Sequence, residues 1–392
     1  MIINHIRLVP EVSDGIKTEN GFVKIENGRI AEVSAKPYEG SEETFDGQGK
    51  TLIPGLIDLH THIGMGQGNK GGFFPEGDDM YILTCYADQV QHYLDWGFTT
   101  VRDCGASRHA ANYVRDMIKR GIIPGPDVLA CGPAITSSAL DDGSNEGESN
   151  AFADGEIETR KATHKELAKG ADFIKIYASG SAGDPKGHPL YPIMSFEEIK
   201  AAVDVAKIHS TYVAAHCHAD SAIRACAEAG VHTLEHVTYM SDETIAYIKT
   251  LDDCCLVPTL AACFVSQEDP KERAFWLARL TPMLEWEGAV VKKAYEAGLK
   301  IGFGTDSGSS SKQYRQGIEF VYRKQYCGMT DKDLLLQATR YAAEIAYIDK
   351  EVGSVKPGLK ANLVLAEGRP EEDISVLYEK PLTVWKDGVK VR

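Results

Sequence analysis

Apolar and polar positions follow two different patterns along this 392-residue chain. Near both ends the apolar residues alternate over short runs. Phe22–Val33 alternates around Asn27-Gly28, a dipeptide suited to the left-handed backbone of a two-residue hairpin. Thr44–Gly49 is a second turn-rich piece. Residues 362–365 and 382–385 are strand-like, and Asp387-Gly388 can turn a last hairpin. Two β-rich ends around a different middle predict one small domain, a β-sandwich built from residues 1–51 and 352–392.

The middle, residues 52–351, carries continuous apolar runs instead. These predict eight strands, at 52–59, 98–103, 126–131, 172–178, 211–216, 232–236, 254–259 and 300–305. Between them lie stretches such as Phe196–His209 and Ala219–Ala229, with apolar residues three and four apart, the helical spacing. Eight strand–helix alternations predict a closed parallel barrel, the (β/α)8 TIM barrel of the α/β class. A doubly wound open sheet is the alternative. No phosphate-cradling GxGxxG follows any strand, which counts against it. The polar, Gly-rich stretch Thr136–Gly155 reads equally as a lid over a site or as a solvated loop.

Composition narrows the partners. Lys and Arg number 42 against 57 Asp and Glu, a net charge of −15. Such a chain is a poor match for nucleic acid or an anionic membrane. Nine scattered cysteines without a CxxC pair read as reduced thiols, hence a cytoplasmic protein. Met1–Arg7 lacks the basic and apolar regions of a signal peptide, and no apolar run is long enough to span a bilayer.

The chemistry lies where the predicted strands end, the functional face of such barrels. The first ends in Leu59-His60-Thr61-His62. Residues two apart on a strand point to the same side, and paired neutral imidazoles are good ligands for zinc and similar ions. Alone, the pair reads as readily as a chance turn. The fifth strand ends in His216-Cys217-His218, the sixth in Glu235-His236, the eighth in Gly304-Thr305-Asp306. A His pair, two further histidines and an aspartate from four strand ends of one barrel predict a metal site. Lys175 sits inside the apolar fourth strand. It reads as a structural lysine, or as a neutral amine able to form a Schiff base or to add carbon dioxide. Beside five other ligands, the anionic carbamate is the form that balances charge.

These motifs, with Gly28–Val33, Leu52–His62, Gly97–Asp103, Phe173–Ile176, Ala178–Gly180, Val213–His216 and Val355–Gly358, resemble the amidohydrolase superfamily over nearly the whole chain. The resemblance is to its binuclear, carboxylated-lysine branch, and within it to the prolidase-like, imidazolonepropionase-related group. It implies two divalent metal ions, most often zinc. His60, His62 and Asp306 would hold the more buried one, and His216 and His236 the other. Carboxylated Lys175, formed with carbon dioxide, would bridge them beside a shared hydroxide. Asp306 would serve as base and then acid. His218 either faces substrate or lies beyond the strand without a role. Tyr177, Tyr239 and His188 either bind substrate or are ordinary core and loop residues, and Arg102 either binds substrate or pairs with a neighbouring ion.

The implied function is a metal-dependent hydrolase that cleaves an amide bond of a small molecule, a dipeptide or N-acyl amino acid, with a metal-activated hydroxide. Relatives that assemble imply a homo-oligomer. The alternatives are a hydrolase of a cyclic amide or lactone, a one-metal deaminase or imidazolone-opening enzyme, and a non-catalytic barrel scaffold. Lys175 argues against the one-metal reading, and the full ligand set against the scaffold. Two departures bear on substrate. Prolidase-like relatives carry Gly-Gly-His-Gly after the third strand, where this chain has Ile135–Leu140. Many carry His-Gly soon after the last strand, where it has Arg315-Gln316-Gly317.

Overall fold

Strands β1 (Ile2–Leu8), β2 (Thr18–Glu26), β3 (Arg29–Ser34), β4 (Thr44–Asp46) and β5 (Thr51–Pro54) open the chain. The computed structural model describes residues 1–64, 77–140, 149–183, 187–268, 274–308, 316–378, 381 and 383–392. The β2–β3 hairpin turns on Asn27 and Gly28 as the sequence predicts, with φ of 52° and 77°. The middle of the chain supplies β6 (Leu56–Thr61), β7 (Phe98–Asp103), β8 (Asp127–Ala130), β9 (Ala134–Thr136), β10 (Asn150–Phe152), β11 (Ile174–Tyr177), β12 (Val213–Cys217), β13 (Thr233–His236) and β14 (Cys255–Val257). β15 (Leu363–Ala366), β16 (Thr383–Lys386) and β17 (Val389–Lys390) follow.

The terminal strands form one eight-stranded sheet in the order β17-β16-β15-β5-β1-β2-β3, with β4 also on β1. The sequence predicts a small β-sandwich from these segments, and their strands are hydrogen-bonded in one continuous series. The cause lies in β1, whose register against β2 shifts between Asn4 and Ile6 and again between Ile6 and Leu8. Such irregularities bend a strand. Two partners therefore share one edge: β4 takes Ile2–Asn4 and β5 takes Arg7–Leu8. The predicted strand 52–59 is also two. β5 pairs with β1 and β15, while β6 pairs in parallel with β7. Gly55 separates them, and a Cβ there would lie 2.0 Å from Thr99 Oγ1.

The middle is an α/β fold of parallel sheets. β6, β7 and β8 form one; β10-β9-β11-β12-β13-β14 form the other. Helices such as Ala110–Lys119, Phe196–Ile208 and Asp220–Ala229 alternate with these strands. The second of these starts at a capping box: Ser195 Oγ accepts from Glu198 N at 3.3 Å, and Glu198 Oε2 from Ser195 N at 2.7 Å. Asp172 N donates to Ala130 O at 2.9 Å between the two sheets. At the opposite edges, residues 301–307 run between β14 and β6. Gly302 N donates to Leu256 O, Leu59 N to Phe303 O, Asp306 N to His60 O and His62 N to Ser307 O, at 2.7–2.9 Å. This is the predicted eighth strand, but it holds only isolated bridges at Ile301 and Ser307. Its crowding explains the irregular path, since a Cβ on Gly304 would meet Val257 Cγ1 at 2.5 Å and His60 Cβ at 2.9 Å.

Arg323 holds this segment from behind. Its fully buried guanidinium donates to the carbonyls of Pro258 and Gly302 at 2.6 and 3.0 Å, to Gln337, and to Glu319 at 2.6 Å. Glu319 in turn accepts from Leu260 N and Ala261 N. Arg323→Met is expected to destabilise the fold by about 3–5 kcal/mol, because it strands a buried carboxylate. Urea unfolding measures this.

The terminal sheet has its own core, including Ile3, Ile6, Leu52, Leu363 and Trp385. It is tied to β8 by Asp127, which accepts from Lys360 at 3.0 Å and Asn362 at 3.1 Å and lies 3.2 Å from Lys386. Burial opposes its ionisation, but the two ammonium groups hold it below the usual carboxylate range. All nine cysteines are free thiols. No helix among the described residues is long and apolar enough to cross a membrane. Of the stretch 136–155, β10 pairs with β9. Residues 141–148, the centre of the stretch that reads equally as a lid or a solvated loop, lie outside the described residues, as does Arg315.

Candidate metal centre

The ends of β6, β12 and β13, with the segment before Asp306, converge on one buried cluster. Ring centroids of His60 and His62 lie 5.4 Å apart, His60 and His236 4.7 Å, His216 and His236 4.5 Å. Asp306 Oδ1 is 3.3 Å from His62 Nε2 and 3.7 Å from His60 Nε2. Ligand atoms of His60, His236 and Asp306 lie within 4.8 Å of one another, as do those of His216, His218 and His236. Lys175 lies in β11 beside β12, 1% exposed, its Nζ 5.8 Å from the Tyr177 ring. The structure thus brings together all six residues that the sequence singles out as ligands.

Backbone strain helps to aim them. His236, Val237 and Asp306 have φ of 69°, 55° and 55°. Left-handed backbone is unfavourable for a side-chain-bearing residue, most of all a β-branched one. Each costs on the order of 1–3 kcal/mol and persists only where its surroundings over-determine it.

Each imidazole has an outer partner. His60 Nδ1 lies 2.7 Å from Glu235 Oε2, His62 Nδ1 3.2 Å from Gly105 O, His236 Nδ1 2.7 Å from Thr259 Oγ1, and His216 Nε2 3.4 Å from Gly180 O. Asp58 binds the two walls of the site together, accepting from His60 N and Thr305 N at 3.1 Å and from Thr305 Oγ1 at 2.6 Å. Burial pushes its carboxyl up to about 7. Asp103 takes Ile63 N and Gly105 N, so it fixes the loop whose carbonyl holds His62. Asp58 and Glu235 are absent from the sequence-based site. Their signal was available, since each is a charged residue inside an apolar strand. Arg102 is a third such residue, and it pairs with Glu235 at 2.7 Å rather than reaching for substrate.

Burial, with the nearby Lys175, pushes the site histidines far below their usual pKa, His62 to about 4 and His218 to about 3; His60, His216 and His236 shift the same way. They are neutral, as ligands must be. In the unfolded chain each takes up a proton near pH 6.5, but in the fold His62 does so only near pH 4 and His218 near pH 3. Between those values the unfolded state binds more protons. The metal-free protein is therefore expected to lose stability as pH falls from 6.5 toward 4, and zinc to restore part of it. Melting temperature against pH, with and without zinc, checks this.

His60 Nε2, His236 Nε2 and Lys175 Nζ are buried and have no hydrogen-bond partner among the described residues. Buried polar atoms are nearly always satisfied. Three orphans around one point, with neutral imidazoles and a carboxylate, fit divalent cations. A second group, His60, Cys104 and Glu235, lies within the same 4.8 Å limit. It does not fit an ion, because burial pushes the Cys104 thiol up to about 12 and Glu235 is committed to Arg102.

His218 faces the same side as His216, 4.5 Å from it and stacked on His236 at 4.8 Å, with Nδ1 2.9 Å from Thr238 Oγ1. Tyr177 packs 5.0 Å from His216, close to Gly105, and burial raises its hydroxyl pKa. Tyr239 follows β13, its N donating to His218 O, and burial pushes its hydroxyl up to about 12. His188 is placed differently. Its ring Nδ1 accepts from Leu190 N and the ring lies 4.9 Å from the exposed Tyr191, within its own turn.

The sequence profile described as "Amidohydrolase family" matches residues 51–391. An ochratoxinase of Aspergillus niger is 26% identical, over 92% of this chain and 79% of its own length. The crystal structure of a Xaa-Pro dipeptidase with methionine bound superposes with a TM-score of 0.89 at 28% identity, covering 100% of this chain and 99% of the other. A prolidase complexed with N-methylphosphonate-L-proline gives 0.87 at 25% identity, with coverage of 100% and 99%.

Proposed function

Starting from a chain that belongs to the amidohydrolase family and groups with its prolidase-like members, a hydrolase of carbon–nitrogen bonds, we propose a binuclear enzyme that cleaves the amide bond of a dipeptide or N-acyl amino acid. His60, His62 and Asp306 would hold one divalent ion, His216 and His236 the other, and Lys175, as its carbamate, would bridge them. The observation that carries this reading is the orphaned Lys175 amine, set among histidines held neutral by burial. Zinc suits a set rich in imidazole and carboxylate.

When bound, such ions supply a Lewis acid for the scissile carbonyl and a water of lowered pKa. The remaining work falls to this chain's own residues. Asp306 accepts the proton of the attacking water and delivers it to the leaving nitrogen, one carboxylate acting as base and then acid. Tyr177 and Tyr239 remain protonated and donate to the substrate's carbonyl or carboxylate. His218, neutral beside His216, meets the substrate on the same side. The contacts of residues 301–307 with β14 and β6, and of Asp172 with β8, support a closed (β/α)8 barrel over residues 52–351, with the terminal sheet as a second domain.

A second reading, hydrolysis of a cyclic amide or lactone, draws on the stretch after β9. There Ser137 Oγ and Ser138 N each donate to Asp154 at 3.0 Å, where prolidase-like relatives carry a histidine motif. The test is a screen of zinc-loaded protein against dipeptides, N-acyl amino acids, cyclic amides and lactones. Release of a free amino acid from a narrow subset of linear amides is expected. Ring opening with no cleavage of linear amides would favour the second reading.

A further inference from the structure

The support behind His60 differs in kind from that behind the other ligands. Glu235 Oε2 faces His60 Nδ1 at 2.7 Å. Its Oε1 takes Arg102 Nη2 at 2.7 Å and the Thr233 hydroxyl at 2.6 Å. Arg102 is itself fixed, with Nε on Leu59 O and Nη1 3.1 Å from Thr233 Oγ1. Glu235 and Arg102 are wholly buried and the His60 side chain is 1% exposed.

This arrangement leaves one possibility for the proton on His60. An ionised carboxylate only accepts hydrogen bonds. Oε1 is filled, so Oε2 pairs with His60 when Nδ1 carries the hydrogen. The lone pair is then on Nε2, the atom nearest Asp306 and without a partner among the described residues. His62 and His216 also have their tautomer set, by the carbonyls of Gly105 and Gly180, but a carbonyl brings no formal charge. His236 rests on the Thr259 hydroxyl, which can donate or accept and so sets neither tautomer nor charge.

We propose that Glu235, locked by Arg102, is a positioning residue that makes the His60 side of the cage the retentive metal position and leaves the His216–His236 side exchangeable. The proposal rests on the two-metal reading above. A carboxylate behind a ligating imidazole orients the ring and strengthens it as a donor, and loss of such a partner typically costs 10–100-fold in metal affinity.

The test uses the full-length protein loaded with two equivalents of zinc and challenged with excess chelator, with release followed by a colorimetric indicator. Wild type is expected to release zinc in a fast and a slow phase of equal size. In Glu235→Gln the slow phase should accelerate about 10–100-fold with the fast phase unchanged. Thr259→Val should change the fast phase alone. Arg102→Gln/Glu235→Gln replaces the buried ion pair by two amides, so no stranded charge threatens the fold, and it should show the same acceleration.

A second readout is independent of loading. Long-range proton–nitrogen NMR of the histidine-labelled, metal-free protein should show His60, assigned through His60→Ala, protonated on Nδ1. The glutamine amide can donate instead, so in Glu235→Gln the proton should move to Nε2. An unaltered slow phase in both variants with an unmoved tautomer would show Glu235 to be structural only. A wild type that binds a single equivalent would instead overturn the two-metal reading and the contrast between the two sides, while the tautomer still decides the role of Glu235.

Discussion

Lys175→Ala is expected to bind one equivalent of zinc where the wild type binds two, and to lose activity by about 10²–10³-fold or more, the scale on which a site loses a principal electrostatic group. The amine is buried in β11 with no hydrogen-bond partner among the described residues. It lies beside β12, the strand that carries His216, with Nζ 5.8 Å from the Tyr177 ring. An ammonium there would repel two dications. Addition of the neutral amine to carbon dioxide, with loss of one proton, gives an anionic carbamate and reverses that repulsion. Zinc uptake by wild type should therefore quicken with added bicarbonate, and uptake by the variant should not. Metal analysis showing two equivalents in Lys175→Ala would refute the bridging role.

Asp306→Asn should lower kcat by about 10²–10⁴-fold, the usual contribution of a positioned acid–base group. Asparagine keeps the shape and one ligating oxygen but cannot carry a proton between water and leaving nitrogen. The backbone geometry, φ of 55° with N donating to His60 O at 2.7 Å, is one that Asn tolerates. KM should change by only a few-fold. Metal content is measured alongside, because Asp306 is also a ligand. A kcat within tenfold of wild type at full occupancy would remove Asp306 from proton transfer.

The ligands were legible because strand ends are local features. His60 and His62 share a side through a two-residue period, and His216, His236 and Asp306 each close an apolar run. Which residues stand behind them was not legible. Glu235 lies 175 positions from His60, and only strand order makes them neighbours. Periodicity assigns a residue to a face; it does not say which strand lies opposite. The same limit merged β5 and β6, since an apolar run does not reveal that its two halves pair with different sheets. The eighth strand was placed correctly along the chain but not in its form, because the crowding at Gly304 comes from Val257 and His60, both distant in sequence. Arg102 could be read two ways until Glu235 was seen beside it.

The pairing of β5 with β15 sets an order of events during synthesis. Thr51–Pro54 must wait for Leu363–Ala366, and the whole catalytic segment is translated between them. Until then β5 has an uncovered neighbour position, an open edge of the kind that recruits other chains. Contacts of such sequence separation form slowly, because the loop must close before they reward it. The strand that leads into the metal ligands is therefore anchored last, so chaperone dependence and aggregation on rapid overexpression should trace to residues 1–54 rather than to the metal centre.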